Sequence, residues 1–129
     1  MSKIIIIEDD PFLLNVLADK FTEKGFHIET AVNGEEGLIK IKADKFDLVL
    51  LDMVLPKMDG FGVLDELRKD NELKSLPVIV LSNLYDKNSI DKANVLGARD
   101  YIVKAYNTPE NIVSKVKSFL EKEAGADKK

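Results

Sequence analysis

The sequence predicts an α/β protein built on a doubly wound, five-stranded parallel sheet with five flanking helices. Three observations predict it. Residues 4–7, 48–51 and 78–81 are apolar at every position, which suits strands buried on both faces rather than the alternation of a half-exposed sheet. Segments with apolar residues at helical spacing lie between those runs. Strands alternating with helices mean parallel strands joined by right-handed crossovers. The runs also close on polar residues: Glu8 and Asp9, Asp52, and Ser82. In an open α/β sheet the carboxyl edge of the strands is where ligands bind.

The elements follow in order. Residues 4–7 (IIII) end in Glu8, Asp9 and Asp10. Asp10 is placed as an N-cap and Pro11 at the first helical position, where its missing N–H does no harm. Leu14, Leu17, Ala18 and Phe21 give the first helix its inner face, and Gly25 stops it. Residues 26–31 alternate weakly, as a shorter strand at or near an edge does. The segment 33–36 (NGEE) starts the second helix, with acids in its first turn where the helix dipole favours them and Leu38 and Ile41 facing inward. The stretch 46–60 (FDLVLLDMVLPKMDG) is the centre of the chain, a buried strand closing on Asp52 and broken by Pro56 and the Asp59-Gly60 pair. Val63, Leu64 and Leu67 mark a third helix from residue 61 to about residue 71. Pro77 introduces strand four at 78–81, ending at Ser82 and Asn83. A helix over 87–96 stops at Gly97. Residues 101–103 form strand five and end at Lys104. Thr108-Pro109-Glu110 starts the last helix, with Ile112, Val116, Phe119 and Leu120 as its stripe. The expected domain is 1–121 with a short charged tail at 122–129, frayed or disordered from residue 123. There is neither an internal repeat nor a second domain in the pattern.

Composition excludes several classes. A chain of 129 residues fits one domain and buries about two thirds of its unfolded surface. With 23 acids against 19 bases the net charge is −4, which argues against a nucleic-acid binder held by phosphate contacts. The absence of cysteine excludes disulfides and thiolate metal sites. No apolar stretch approaches the ~20 residues of a membrane span, and the start is too short for a signal peptide. A soluble cytoplasmic protein is expected. His27, the single histidine, is placed on the surface of the second strand.

Glu8 and Asp9, Asp52, Ser82 and Lys104 gather at the ends of strands one, three, four and five. Taken singly, the acid pair is a helix cap, the lysine a solvated strand end, the serine a turn residue and Tyr101 an ordinary strand aromatic. Their occurrence together at one sheet edge is what those readings leave unexplained. Three converging carboxylates repel one another unless a cation is present. Hard oxygen donors without histidine or cysteine point to Mg²⁺. A cation, an ammonium and a hydroxyl around one carboxylate suit a phosphoryl group, and a carboxylate can be the nucleophile that becomes an aspartyl phosphate.

These residues resemble the receiver domains of two-component response regulators, in particular the stand-alone, chemotaxis-receiver-like kind. The resemblance covers about residues 3–121 and rests on the IIIIEDD acid pair, the LVLLDMVLPKMDG segment, LSN and GARDYIVK. It implies the flavodoxin-like strand order 2-1-3-4-5, which sets strands one and three side by side at the switch point. It also implies that Asp52 is the phosphoacceptor, that Asp9 binds Mg²⁺ directly with Glu8 acting through water, and that Asp52 and the Val54 carbonyl complete the metal site. Lys104 would pair with the phosphoryl oxygens, Ser82 would hydrogen-bond one of them, and Tyr101 matches the aromatic switch position. Main-chain N–H groups of Met53, Val54 and Asn83 are further expected contacts. The implied function is a phosphoacceptor switch that catalyses only its own phosphorylation and dephosphorylation. Its donor would be a sensor histidine kinase or phosphotransfer protein, and its output an unidentified downstream protein, with no direct nucleic acid and no membrane. The chain would be a monomer or a phosphorylation-dependent dimer. Docking is implied on the fourth helix, fifth strand and fifth helix, including Lys87, Asp91, Arg99 and Asp100.

Two residues depart from the family pattern. Lys104 is usually followed by a proline in a cis peptide, but residue 105 is Ala. A cis bond to a non-proline costs ~2.5–4 kcal/mol, so a trans, differently shaped loop is expected. The residue after the switch hydroxyl is usually small, and here it is Asn83. Val54 and Leu84, each two positions beyond Asp52 and Ser82, are apolar, so slow self-dephosphorylation is expected. Rival classes fit less well. A haloacid-dehalogenase-type phosphatase places a second Asp where this chain has Val54. A flavodoxin-like cofactor binder would have to seat phosphate against Glu8, Asp9 and Asp10. A degenerate, docking-only receiver would not keep the full set.

Overall fold

The structure is a computed structural model and describes residues 2–127. In chain order the elements are β1 (Lys3–Ile7), α1 (Pro11–Glu23), β2 (His27–Ala31), α2 (Gly34–Ala43), β3 (Leu48–Leu51), α3 (Gly60–Lys69), β4 (Val78–Ser82), α4 (Lys87–Val95), β5 (Asp100–Val103) and α5 (Pro109–Asp127), with a 3₁₀ turn at Lys104–Tyr106 between the last two. The sheet is parallel throughout, in the order β2-β1-β3-β4-β5. Ile7 pairs with Leu51 on one side and Ala31 on the other, and Ser82 pairs with Val103. The residues that follow these strand ends emerge along one edge.

The uniformly apolar runs are explained by two packed layers. Successive side chains of a strand point to opposite faces. Ile5, Ile7, Val49, Leu51, Val78 and Val80 pack under α2, α3 and α4 through Leu38, Ile41, Val63, Leu64, Leu67 and Ala93. Ile4, Ile6, Leu48, Leu50, Ile79 and Leu81 pack against α1 and α5 through Leu14, Leu17, Phe21, Ile112, Val113 and Val116. Each fully buried Ile or Leu contributes ~1.5–3 kcal/mol, so both faces hold the sheet. His27 is exposed on β2.

Local chemistry sets the helix starts. Asp10 Oδ1 accepts from Phe12 N at 3.0 Å, Asn33 Oδ1 from Glu36 N at 2.8 Å, Asp59 Oδ1 from Gly62 N at 2.9 Å and Asp86 Oδ2 from Ser89 N at 3.1 Å. Each oxygen satisfies an N–H that the first turn leaves without an intrahelical partner. At its far end, α4 is capped by Arg68 of α3, whose guanidinium donates to the Leu96 and Gly97 carbonyls at 2.8 and 3.1 Å. The last helix runs through Asp127 into the charged segment expected as a tail, because the run EKEAGAD has no breaker stronger than Gly125. Residues 128–129 lie outside the described residues. The third helix also ends at Lys69 rather than near Asn71, with Asp70 extended at its C-cap.

The loop after β3 is packed tightly against Gly60. A Cβ on Gly60 would lie 2.4 Å from the Asp52 carbonyl oxygen and 2.7 Å from Met53 Cα, while Gly60 N donates to Met53 O at 3.0 Å. The backbone of α3 therefore presses on the residue that closes β3. Gly60→Ala is expected to lower stability by ~1–3 kcal/mol through overpacking, read as a lower urea midpoint with an unchanged slope. A midpoint equal to that of the wild type would show that the loop yields freely.

Candidate functional site

Three strand ends bring charge together. Glu8 follows β1, Asp52 follows β3 and Lys104 follows β5. Lys104 Nζ lies 2.9 Å from Asp52 Oδ2 and 2.5 Å from Glu8 Oε1. The first contact is an aligned hydrogen bond. The second is a charge contact off the hydrogen-bonding axis, so Glu8 Oε1 is buried yet lacks a hydrogen-bond donor. The other Glu8 oxygen accepts from Asp10 N at 3.0 Å. Asp52 Oδ1 accepts from Val54 N at 3.2 Å. Asp9 joins from the surface side, and carboxylate oxygens of Glu8, Asp9 and Asp52 all lie within 4.8 Å of one another.

Magnitudes show what this arrangement lacks. At 4.8 Å a like-charge pair costs about 3–4 kcal/mol at an effective dielectric of about 20. Glu8 and Asp52 are 1% and 4% exposed, so water screens that repulsion poorly. Three ionised carboxylates against one ammonium leave two negative charges. Burial pushes the Glu8 carboxyl above its ordinary value, against the lowering effect of Lys104 and the Asp10 N–H and with the Asp52 charge. For Lys104, burial acts downward, but the close contacts with Glu8 and Asp52 and their charges outweigh it and hold the ammonium above its ordinary value. The orphaned Glu8 oxygen, the residual charge and the all-oxygen donor set fit a hard divalent cation such as Mg²⁺.

The remaining expected residues take distinct places. Ser82 is fully buried at the end of β4, and its Oγ accepts from Leu84 N at 3.2 Å. Tyr101 on β5 is half-buried and donates its hydroxyl to the Leu84 carbonyl. Burial raises its phenol above the ordinary value, and Ser82 lies close enough to act the other way. The Met53 side chain is buried and its carbonyl receives Gly60 N. Val54 is 57% exposed beside Asp52. The Asn83 side chain is engaged by the neighbouring loop, its Oδ1 accepting from Ala105 N at 2.9 Å. No cis peptide bond occurs among the described residues, so the Lys104-Ala105 bond is trans.

Matches to known proteins agree with this geometry. The family model of the response regulator receiver domain matches residues 4–117. The chain belongs to the response regulator receiver family. Among curated relatives, the probable C4-dicarboxylate response regulator DctR of Bacillus subtilis is 40% identical over 122 residues, covering 93% of this chain and 51% of that protein. The probable transcriptional regulator ycf27 of Porphyridium aerugineum is 35% identical over 120 residues, 93% of this chain and 48% of that protein. The chain spans about half the length of these relatives. A crystal structure of a CheY-like response regulator receiver domain protein from Methanospirillum hungatei JF-1 superposes with a TM-score of 0.89 at 26% identity, covering 98% of both chains.

The receiver also uses residues that sequence reasoning passed over. Gly34 N donates to Met58 O at 3.1 Å, and a Cβ on Gly34 would lie 2.1 Å from that oxygen. Lys57 sits in the left-handed region with φ of 68°, a conformation unusual for a non-glycine residue, in the loop between Asp52 and α3. Neither contact has a periodic or compositional signature. Among the described residues no helix is long and apolar enough to cross a membrane.

The raised Glu8 carboxyl gives a signed pH dependence. Between the ordinary glutamate value and the raised one, the folded state holds a proton that the unfolded chain has released, so this group's contribution to stability falls as pH rises through that window. In a metal chelator, Glu8→Gln is expected to gain stability relative to wild type as pH rises above the ordinary glutamate value of about 4.3. Urea unfolding at intermediate pH values measures the margin. A margin that shrinks with rising pH would mean that Lys104 more than offsets the burial.

Proposed function

We propose that this receiver accepts a phosphoryl group on Asp52 in a Mg²⁺-dependent step, from a sensor histidine kinase or phosphotransfer protein, and that the modification changes its affinity for a partner protein. The observation that carries the reading is the buried Asp52 carboxylate bonded to Lys104 at 2.9 Å beside a carboxylate cluster two charges short of neutral. In the transfer, an Asp52 oxygen forms a bond to phosphorus while the bond from phosphorus to the donor nitrogen breaks, and the electron pair leaves with the donor imidazole. Glu8, Asp9, Asp52 and the Val54 carbonyl would hold the cation, which supplies charge neutralisation for the phosphoryl oxygens. Lys104, already between two acids, passes its charge to the arriving oxygens. Ser82 and the main-chain N–H groups of Met53, Val54 and Asn83 are the proposed remaining contacts, with Ser82 and Tyr101 as the switch pair. The chemistry stops at the protein's own phosphorylation and dephosphorylation.

Acetyl phosphate with Mg²⁺ is expected to add one phosphoryl group at Asp52, seen by intact mass. The increment should vanish in Asp52→Asn and on chelation. Label persisting in either case would overturn the assignment. The relatives named as transcriptional regulators favour a second reading, in which the switched partner or a further part of such a protein contacts DNA. With −4 net charge, this receiver is not proposed to make those contacts itself, and a gel shift of the phosphorylated chain would say otherwise.

Lifetime follows from the wall around Asp52. We take that wall to be the two apolar residues expected from sequence, Val54, which is exposed, and Leu84, which is half-buried against the core. An exposed apolar neighbour cannot hydrogen-bond an attacking water. Val54→Asn is therefore expected to hasten decay of the phosphorylated protein after donor removal, measured by the loss of the mass increment with time. Decay unchanged or slower in the variant would remove Val54 from the account.

A further inference from the structure

We propose that Asn83 and Ala105 form a clasp that fixes the loop bearing Lys104, making Asn83 a positioning residue for the phosphoacceptor site. The inference rests on the reading of Asp52 and Lys104 given above. Ala105 N–H belongs to the first turn of the 3₁₀ segment Lys104–Tyr106, whose N-cap residue Val103 offers no side-chain acceptor. Such a donor needs a partner from elsewhere. Asn83 Oδ1 supplies it at 2.9 Å from 22 positions away in sequence, and acceptance from an N–H fixes which end of the amide faces the loop. On the other side, Asn107 Nδ2 donates to Val103 O at 2.8 Å and Asn107 N to Lys104 O at 3.3 Å. Lys104 is thus pinned on both sides of its own peptide, with its ammonium between Glu8 and Asp52.

The two residues of this clasp are the same two that depart from the family pattern. A proline at 105 has no N–H to donate, and a small residue at 83 has no acceptor long enough to reach. The bond needs both residues as they stand here, an amide side chain at 83 and a residue with an N–H at 105. It does by a hydrogen bond what a rigid proline would otherwise do, which is to limit the conformations open to the lysine loop. Asn83 also directly follows Ser82, so the clasp joins the loop after Ser82 to the loop that carries Lys104. A charge placed precisely enough to meet developing phosphoryl charge depends on such pre-organisation.

The test uses the full chain, with Asn83→Leu to remove the acceptor at similar volume and Asn83→Asp to retain the oxygen. Hydrogen exchange at the Ala105 amide, in an otherwise exposed residue, should be slow in wild type and in the aspartate variant and fast in the leucine variant. The Lys104 ε-methylene protons, inequivalent when the side chain is fixed, should move toward averaging in the leucine variant only. Phosphorylation by acetyl phosphate with Mg²⁺ should slow about 2- to 10-fold in that variant, the range of one net hydrogen bond, measured well below the thermal midpoint of either protein so that both are fully folded. An Ala105 amide still protected in Asn83→Leu would overturn the clasp. Loss of protection with unchanged Lys104 signals and unchanged phosphorylation would overturn the positioning role. A wild type that takes no phosphoryl at all would overturn the reading of Asp52 instead, while exchange and the Lys104 signals would still decide the clasp.

Discussion

The structure is organised around one ammonium between two buried acids. Lys104 stands within 2.9 Å of Asp52 and 2.5 Å of Glu8, and two acids brought together at that depth without a cation would repel each other with little screening by water. The contact requires β1, β3 and β5 to end at one level, although β5 is two places from β3 in the sheet. Strand order and register therefore serve the charge balance as much as the core. The balance is incomplete by design of the residue types: one lysine cannot neutralise three carboxylates. The deficit makes the site receptive to a cation and poor as a resting salt bridge, which is the physical reason a family of phosphoacceptors can be built on it.

The backbone around this centre carries constraints of a different kind. Gly60 and Gly34 let chain segments approach closer than any side chain permits, and Lys57 accepts a left-handed conformation in the same loop. These positions cost conformational freedom, and the packed layers under α2, α3 and α4 offset that cost. The consequence is a β3–α3 loop whose Val54 N–H is aimed at Asp52 before any ligand arrives.

The fold was legible because its signals are local or periodic. Four apolar residues in a row, as in residues 4–7, have no half-exposed reading, and both layers later claimed them. Asp10, Asn33 and Thr108 announced helix starts by residue type, as the caps and the Thr108 Oγ1 bond to Asn111 N at 3.1 Å confirm. The convergence of Glu8, Asp9, Asp52 and Lys104 was readable because each ends a strand. Contacts between distant loops were not readable. Nothing in the pattern of Asn83 says that its amide reaches residue 105, nor that the peptide groups of Leu84 meet both Ser82 and Tyr101.

Tyr101 sharpens what a switch in this receiver has to do. Its ring is half-buried and its hydroxyl is bonded to the Leu84 carbonyl while Asp52 is a free carboxylate. An inward aromatic is thus compatible with the unmodified site, and phosphorylation in the proposed scheme cannot act by creating that position. It has to act on relative populations. The Ser82 hydroxyl accepts from Leu84 N, and Leu84 O holds Tyr101, so one residue's peptide groups tie both side chains of the proposed switch pair. A phosphoryl group that draws Ser82 toward Asp52 breaks the bond to Leu84 N and leaves that donor seeking another acceptor, so the β4–α4 loop must rearrange around the Tyr101 contact. The energy available for the change is the difference between one neutral hydrogen bond, worth ~0.5–1.5 kcal/mol, and one to a charged acceptor, worth ~1.5–3 kcal/mol. That difference is enough to shift a balance between two loop arrangements by about a factor of ten and too small to force one from nothing, which is why the resting structure must already hold the arrangement in reach.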